Sequence, residues 1–491
     1  MIRTLIGLIY SLSIFSLSFN VLASDAIEKL SAYIHSNLDE YHYEVVDEFS
    51  AGVHAAAGCW QCEIKVLRLH SLIWQPNTAV PAKWQHWLTI TLPEIDAENW
   101  PSTVLLFIDG GQNRIAQSAP DSVNFFVRTL SSQTNAIVAH IKTIPNQKIR
   151  FTDDGDPDYQ TEGRKEGELI AYSWRQFMNT GDPLALAELP MTKSVVRAMD
   201  AVSDYLAKTK QIAIKDFVLM GASKRGLTAW STAAVDSRVK AIIPLSTDML
   251  NIPKSFRHHF QIYGGYSEHL EHYQAQKLLS DTAESTFEMM QQPRYQALLD
   301  FVDPYQFRQR LKIPKYMING AGDEYFLPDS SQFYLSELPG QNYLRYLPNV
   351  GHGIGLRAGL SGWWQLYQSV LPSIAAFTEA IIHDDRLPEY QWRYIADNEV
   401  IITTTTTPTH VYLWQASNAV SRDFRLDRVG KIWQRSVLTD STTNEYHLKV
   451  AYPDRGYRAF MVELHYRLRD KPLVLTTDVK ILKSKVLLEA P

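Results

Sequence analysis

Residues 215–230 encode a tight turn between a buried strand and a helix. The apolar run 217–220 ends in the small residues Gly221 and Ala222, Ser223 follows, and residues 226–235 carry apolar side chains at helical spacing. Small neighbours permit a strained backbone at the serine and let the helix pack closely against the strand. We therefore predict a nucleophile elbow that presents Ser223 at the carboxyl end of a strand.

The predicted turn departs in one place from the G-x-S-x-G pattern of such elbows. Arg225 occupies the fifth position, and Gly226 comes one residue later. Taken alone, the stretch also fits an ordinary turn in which a serine caps a helix. Partner residues elsewhere in the chain must distinguish these two interpretations.

Two further strand ends supply the partners that a serine nucleophile needs. Asp323 follows the predicted strand 314–319 in a glycine-rich turn, and His352 follows the predicted strand 343–347. The carboxyl ends of parallel strands share one edge of a sheet, so the side chains can converge there. An imidazole would take the hydroxyl proton and a carboxylate would fix the imidazole tautomer. We predict a triad with Ser223, although Asp323 as a helix cap and His352 as a turn histidine remain an alternative.

A second acid competes with Asp323 for the place beside the histidine. Asp248 follows the predicted strand 239–245, directly after the elbow helix, where some serine hydrolases carry their carboxylate. We favour Asp323 because Gly322 and Pro328 flank it in a tight loop that can point a carboxylate back across the sheet edge. In that case Asp248 caps the turn or helix that follows it.

A glycine turn after the predicted strand 104–108 provides a candidate oxyanion hole. Gly110 and Gly111 are expected to supply the first backbone donor, and the amide of Lys224, directly after the nucleophile, the second. The cationic side chains of Lys224 and Arg225 have two possible roles. They either contact the oxyanion or a substrate carboxylate, or they pair with surface acids at the top of the elbow helix.

The order of elements predicts an α/β domain followed by a β domain. Strand and helix patterns alternate through residues 24–384, which indicates a mostly parallel sheet with helices on both faces and an N-terminal extension. The polar segment 153–167 is expected to be a surface loop. Residues 385–491 carry short alternating strands, which predicts a small immunoglobulin-like sandwich in which the threonine run 403–407 is a strand.

The amino terminus has the pattern of an export signal. Residues 1–23 hold one charge, a run rich in apolar and hydroxyl residues, and small residues before the predicted cleavage site. A membrane anchor is the alternative. We expect a periplasmic or secreted protein, in which Cys59 and Cys62 form a structural disulfide rather than a redox pair or free thiols.

The composition gives no indication of nucleic acid, membrane or metal partners. The formal net charge is −5 with scattered charges, and no other stretch is long and apolar enough to span a bilayer. His258, His259, His269 and His272 are spaced like metal ligands, but the stretch shows no clear helix, and no metal or cofactor is expected. The expected partner is a small-molecule or peptide substrate, and the oligomeric state is not assigned.

Several segments together resemble one protein family. The segments that carry the resemblance to the PhoPQ-activated pathogenicity-related family are 107–113, 190–193, 197–200, 221–230, 263–267 and 322–324, with His352. The resemblance implies an α/β-hydrolase fold, a secreted or periplasmic location, and the triad Ser223, Asp323 and His352. The segment 162–168 departs from the Glu-Asp pair that the family leads us to expect there.

The expected function is an exported serine hydrolase that cleaves an ester or amide through an acyl-enzyme. Residues 153–190 and 252–304 are expected to form the pocket walls, but they carry no specificity code that we can interpret. Glucuronoyl esterases are similar in having G-x-S-R-x-G at the elbow, so an esterase for acidic sugar esters is one alternative. A binding or signalling protein on a hydrolase scaffold is the other.

Overall fold

The computed structural model describes most of the chain beyond the amino terminus. The described residues are 25–36, 40–50, 62–75, 77–93, 95–96, 99–113, 119–120, 124–354, 366–438 and 444–485. The predicted export signal lies outside them, and so does Cys59. Cys62 is buried and disulfide-bonded at the start of a strand, and its pairing with Cys59 stays a prediction.

One large sheet organises residues 40–354. The strands of this region are β1 His42–Ser50, β2 Glu63–Ile73, β3 Ala79–Val80, β4 Lys83–Leu92, β5 Thr103–Ile108, β6 Ile137–Ile141, β7 Arg150–Phe151, β8 Asp216–Ala222, β9 Val239–Leu245, β10 Lys315–Gly320 and β11 Asn342–Leu347. Nine of them pair in the order β1-β2-β4-β6-β5-β8-β9-β10-β11. Within this sheet β5, β6, β8, β9, β10 and β11 are parallel to one another, whereas β1, β2 and β4 pair antiparallel with their neighbours. The short strands β3 and β7 form a separate antiparallel pair. The sheet is mostly parallel, as the sequence predicts.

Helices cover both faces of the sheet. They are α1 25–35, α2 Phe125–Thr134, α3 Pro157–Glu162, α4 Glu166–Thr180, α5 Glu188–Lys210, α6 Lys224–Val235, α7 Ile252–Tyr263, α8 Glu271–Ala275, α9 Ala283–Met290, α10 Pro293–Val302 and, later in the chain, α11 Leu371–Ile382. Because both faces are covered, the central strands are largely apolar, as in the fully buried run 217–220 of β8. None of the helices that the structure describes is long and apolar enough to cross a bilayer.

Two expectations about helices are wrong. The polar segment 153–167 is not a plain surface loop, because it contains α3 and the first residues of α4. The histidine-rich stretch does contain a helix, α7, which has Pro253 in its first turn and ends at Gly264 in a left-handed conformation. Aromatic side chains obscure its apolar face in the sequence, but a proline at the start and a glycine at the end are ordinary helix boundaries.

The C-terminal region is all-β, as predicted. Its strands are β12 Tyr390–Ala396, β13 Glu399–Thr404, β14 His410–Asn418, β15 Gln434–Val437, β16 Glu445–Lys449, β17 Tyr457–Leu468, β18 Lys471–Thr476 and β19 Lys480–Lys483, with the short helix α12 Leu426–Val429 between β14 and β15. One sheet has the order β12-β13-β16 and the other β15-β14-β17-β18, with β19 on β17. Of the threonine run 403–407, only the first two residues belong to a strand.

The C-terminal β domain packs directly against the α/β domain that contains the nine-stranded sheet. At the edge strand β11, the Tyr346 amide donates to the Thr476 hydroxyl at 3.0 Å, and the Tyr316 hydroxyl of β10 donates to the Val474 carbonyl at 2.7 Å. Near the sheet's carboxyl edge, the Leu426 amide donates to the Gly322 carbonyl at 2.9 Å. The β domain therefore covers the sheet edge and supports the loop that carries Asp323.

Candidate active site

Ser223 lies on a strained turn between β8 and α6. Its backbone has φ 56° and ψ −122°, a conformation that costs a non-glycine residue about 1–3 kcal/mol and that usually marks functional sites. The Ser223 amide donates to the Leu245 carbonyl at the end of β9, at 2.8 Å. The strand-to-helix turn predicted from the sequence is present.

Glycine is required on both sides of the turn. A Cβ on Gly221 would lie 2.5 Å from the Arg225 carbonyl oxygen, and a Cβ on Gly226 would collide with the Thr247 hydroxyl. The glycine one residue later than usual therefore provides the close approach between α6 and the end of β9. Arg225, in the usual glycine position, points away from this contact.

The buried Asp323 and the partly buried His352 form a pair after β10 and β11. His352 Nδ1 lies 2.8 Å from Asp323 Oδ2. The other oxygen, Oδ1, accepts hydrogen bonds from the amides of Tyr325 and Phe326 at 2.7 and 3.1 Å. The Tyr325 ring packs on the imidazole with centroids 4.2 Å apart. The carboxylate and the imidazole are therefore each held in one orientation.

The end of β9 connects the Ser223 turn with the loop that carries His352. Leu245 accepts from the Ser223 amide, and the next residue, Ser246, donates its hydroxyl to the His352 carbonyl at 2.6 Å. Among the described residues, the Ser223 hydroxyl makes no hydrogen bond to His352. Catalytic hydrogen bonds are often long before substrate binds, and they tighten in the Michaelis complex. The three predicted residues share one sheet edge, but their joint action stays a prediction.

Asp248 is occupied elsewhere. Its two carboxylate oxygens accept hydrogen bonds from the hydroxyls of Tyr334 and Tyr346, at 2.6 and 2.5 Å. Complete burial raises the pKa of Asp248 to about 7, against the opposing effect of the two tyrosine hydrogen bonds. The acid that contacts His352 Nδ1 is Asp323, which is the one that the sequence favours.

The Arg225 side chain pairs with an acid of its own protein. Its guanidinium donates to Glu166 Oε2 and Oε1 at 2.8 and 2.5 Å and to the Ile144 carbonyl at 2.5 Å. Lys224 Nζ lies 3.6 Å from the same carboxylate. Burial tends to raise the pKa of Glu166, but hydrogen bonds from Arg225 and the charges of Arg225 and Lys224 lower it to about 2. Arg225 therefore links α4 to the elbow and is not available to a substrate carboxylate.

The expected oxyanion donors differ in availability. The Gly110 amide donates to Asp109 Oδ1 at 2.7 Å, so it does not point at a substrate oxygen. Gly111 has φ +136°, and its carbonyl accepts from the Gln147 side chain at 2.9 Å, which fixes this peptide beside the elbow. The Lys224 amide is the first of α6 and follows Ser223 directly, which is the usual position of the second donor. Of the expected donors, Gly110 is therefore the one that the structure does not favour.

A cavity of about 200 Å³ opens beside Ser223. Its walls are mostly apolar and aromatic, and its lining includes Ile170, Trp174, Leu227, Met249, Phe256, Leu270, Tyr273, Tyr325 and Phe326. Glu268 and Glu271 also line it, and both are exposed. The wall segments expected from the sequence contribute to it. Tyr325 and Phe326 were missed, although an aromatic pair directly after the acid loop was a possible signal.

The histidines of the α7 region have separate partners. His258 lies 3.1 Å from Asp329, His259 accepts from the Ser267 amide at 3.1 Å, and the His269 ring stacks on Tyr325 with centroids 4.6 Å apart. No metal-binding cluster forms from these histidines within the residues that the structure describes.

Comparisons with known proteins place the chain in a family. Residues 33–425 match the PhoPQ-activated pathogenicity-related protein family. The chain is 33% identical over 422 residues to Autocrine proliferation repressor protein A of Dictyostelium discoideum. The aligned region covers 82% of this chain and 80% of that protein.

Comparison with solved structures finds similarities at lower sequence identity. An acetyl xylan esterase from Paenibacillus sp. R4 is 15% identical with a TM-score of 0.45, over 72% of this chain and 93% of that one. The Pyrococcus horikoshii acylaminoacyl peptidase is 12% identical with a TM-score of 0.39, over 66% of this chain and 49% of that one. Because the family match spans well over half of its residues, the chain belongs to the PhoPQ-activated pathogenicity-related protein family.

Proposed function

We propose that this chain is an exported serine hydrolase that cleaves an ester or amide through an acyl-enzyme, in the periplasm or outside the cell. One observation supports the proposal above all. A serine on a strained strand-to-helix turn shares its sheet edge with the Asp323–His352 pair, and a cavity opens beside the serine. Structural serines in turns do not require this combination.

In the proposed mechanism, Ser223 Oγ attacks the substrate carbonyl carbon while His352 Nε2 takes the hydroxyl proton. Asp323 holds the imidazole through Nδ1 and stabilises the imidazolium. The amides of Lys224 and Gly111 would stabilise the oxyanion. The intermediate then collapses, His352 returns the proton to the leaving alcohol or amine, and the acyl group remains on Ser223. A water molecule, activated by the same imidazole, releases the acid and restores the enzyme.

The cavity favours substrates with a compact, apolar acyl group. Its volume of about 200 Å³ and its aromatic walls provide dispersion contacts and exclude water. Recognition of acidic sugar esters by Arg225 is less favoured, because Glu166 already occupies the guanidinium in a bidentate pair. We therefore propose neutral esters or amides with small acyl groups as the first substrates to assay.

Labelling with a fluorophosphonate probe tests the nucleophile. We expect the wild-type protein to be labelled and Ser223→Ala to lose both labelling and ester hydrolysis. Ser246 is the matched rival, because it lines the same cavity and also has positive φ. Its hydroxyl already donates to the His352 carbonyl, so Ser246→Ala should still be labelled. Labelling that survives in Ser223→Ala and disappears in Ser246→Ala would reject Ser223.

A signalling role with little turnover is the second candidate. It is favoured by the similarity to Autocrine proliferation repressor protein A, whose name describes a regulatory activity. The two functions separate in one experiment on correctly folded protein. A folded wild type that neither reacts with the probe nor hydrolyses p-nitrophenyl esters and aminoacyl amides would support the signalling role.

A further inference from the structure

Three potential metal ligands are collected on one face of the sheet's antiparallel edge. In the register of β1 and β2, His42 lies opposite His70. Glu44 lies two residues after His42 on the same strand, and side chains at i and i+2 share a face. The ligating atoms of these three side chains all lie within 4.8 Å of one another.

The arrangement leaves one imidazole nitrogen unsatisfied. His70 Nε2 is buried and has no hydrogen-bond partner among the described residues, and its nearest acid, Glu44 Oε1, is 3.9 Å away. The rings of His42 and His70 are stacked, with centroids 4.1 Å apart and planes 13° from parallel. A buried nitrogen without a hydrogen-bond partner is unfavourable.

We propose that His42, His70 and Glu44 bind a divalent transition metal ion of the class that prefers imidazole and carboxylate ligands, with Zn²⁺ as the representative. Zinc bonds of about 2.0–2.1 Å in tetrahedral geometry require donor atoms roughly 3.4 Å apart. The present separations of up to 4.8 Å would have to shorten, and the two stacked rings would have to rotate so that their nitrogens converge on the ion. Three protein ligands leave a fourth position for water.

The third strand supplies the outer partner that a histidine ligand needs. Gln85 of β4 lies opposite His70, and its side-chain nitrogen Nε2 is 3.1 Å from His70 Nδ1. A metal bound at His70 Nε2 requires the proton on Nδ1, so the Gln85 amide would have to turn its oxygen toward Nδ1–H to fix that tautomer. Glu44 is also near the Arg68 guanidinium, at 3.5 Å, so metal binding would have to displace a weak ion pair.

Bound metal would pin the edge strand β1 to β2. The proposed site is distant from the Ser223 turn in the sheet, because β4, β6 and β5 lie between β2 and β8. Its role would be to stabilise the sheet edge. The inference does not depend on the proposed hydrolase activity.

The β domain contains a matched control. His410 of β14 lies opposite His465 of β17, and Glu463 lies two residues before His465. Here His465 Nε2 already bonds to Glu463 at 2.8 Å, and the two imidazoles meet edge to face with centroids 6.2 Å apart. This control site has the same residue types, two histidines and one glutamate, but their metal-ligating atoms do not converge on one point.

The test uses the full-length mature protein without a histidine tag, stripped with EDTA and titrated with ZnCl₂ by calorimetry. We expect the wild type to bind one zinc ion tightly per chain. The zinc affinity should be at least tenfold weaker in His42→Ala and in His70→Ala, and it should fall by a smaller factor in Glu44→Gln. His410→Ala should bind as the wild type does. Zinc should also raise the melting temperature of the wild type and of His410→Ala, but not of His42→Ala.

Two results would overturn the proposal. One is that the wild type binds no zinc ion tightly, and the other is that His42→Ala and Glu44→Gln leave the zinc affinity unchanged. His42 and Glu44 are exposed, so these two variants should fold even if His70→Ala does not. Circular dichroism of each zinc-free variant verifies this.

Discussion

Replacing Asp323 by Asn should impair turnover by imposing the wrong histidine tautomer. The amides of Tyr325 and Phe326 both donate to Asp323 Oδ1, so in the variant the side-chain oxygen must occupy that position. The new NH₂ group then replaces Oδ2, 2.8 Å from His352 Nδ1, and donates to it. Nδ1 becomes an acceptor, Nε2 carries the proton, and the imidazole can no longer take a proton from Ser223.

The expected loss is about 10⁴-fold in kcat, equivalent to roughly 5 kcal/mol of transition-state stabilisation. Substrate binding does not use Asp323, so KM should change much less. The fold should survive, because both backbone amides keep their acceptor. The assay is steady-state hydrolysis of p-nitrophenyl acetate, with urea denaturation of each variant to compare stability.

Asp248→Asn is the matched control for this prediction. Its side chain meets the Tyr334 and Tyr346 hydroxyls, and one of these would face an NH₂ group. We expect a loss of about 1–3 kcal/mol in the free energy of unfolding and little change in kcat. A large loss of kcat in Asp248→Asn together with nearly unchanged kcat in Asp323→Asn would refute the tautomer argument. The acid that orients His352 would then be the one after β9, Asp248.

Two further predictions concern stability. The pKa of Glu166 is lowered from 4.5 to about 2, so its stabilising contribution is present above pH 4.5 and is lost as the pH falls toward 2. Between pH 6 and pH 3, the free energy of unfolding from chemical denaturation should fall more steeply for the wild type than for Glu166→Gln. An equal fall in the two proteins would contradict this. A chain ending at Asp384 should lose solubility and stability more than chemistry, because Tyr346 and Gly322 lose their partners in the β domain. Soluble yield and melting temperature measure this, and an equally stable truncated protein would show that the β domain is dispensable.

Much of the hydrolase core could be predicted from the sequence because its signals are local. The elbow, the strands before Asp323 and His352, and the change to all-β structure each depend on short patterns of apolar, glycine and turn residues. The alternation of strands and helices also indicates a parallel sheet, and parallel strands place the three side chains at one edge.

Contacts between distant segments could not be predicted in this way. Arg225 pairs with Glu166, 59 residues earlier, and no sequence pattern selects that acid over a substrate carboxylate. The same holds for the Gly110 amide, which donates to its neighbour Asp109, and for Asp248, whose tyrosine partners come from 86 and 98 residues away. Each outcome depends on which groups compete for one donor or acceptor after the chain has packed.

The sequence by itself determined the strand-to-helix turn at Ser223, the order of Ser223, Asp323 and His352 along the chain, and the change from α/β to all-β structure. These features depend on backbone conformation and periodicity, which neighbouring residues set. Only the tertiary structure decided that Asp323 contacts His352, that Glu166 occupies Arg225, and that His42, His70 and Glu44 share a face. These depend on strand register and on competition among buried polar groups, and a shift of one residue in register would move every side chain of β1 to the other face.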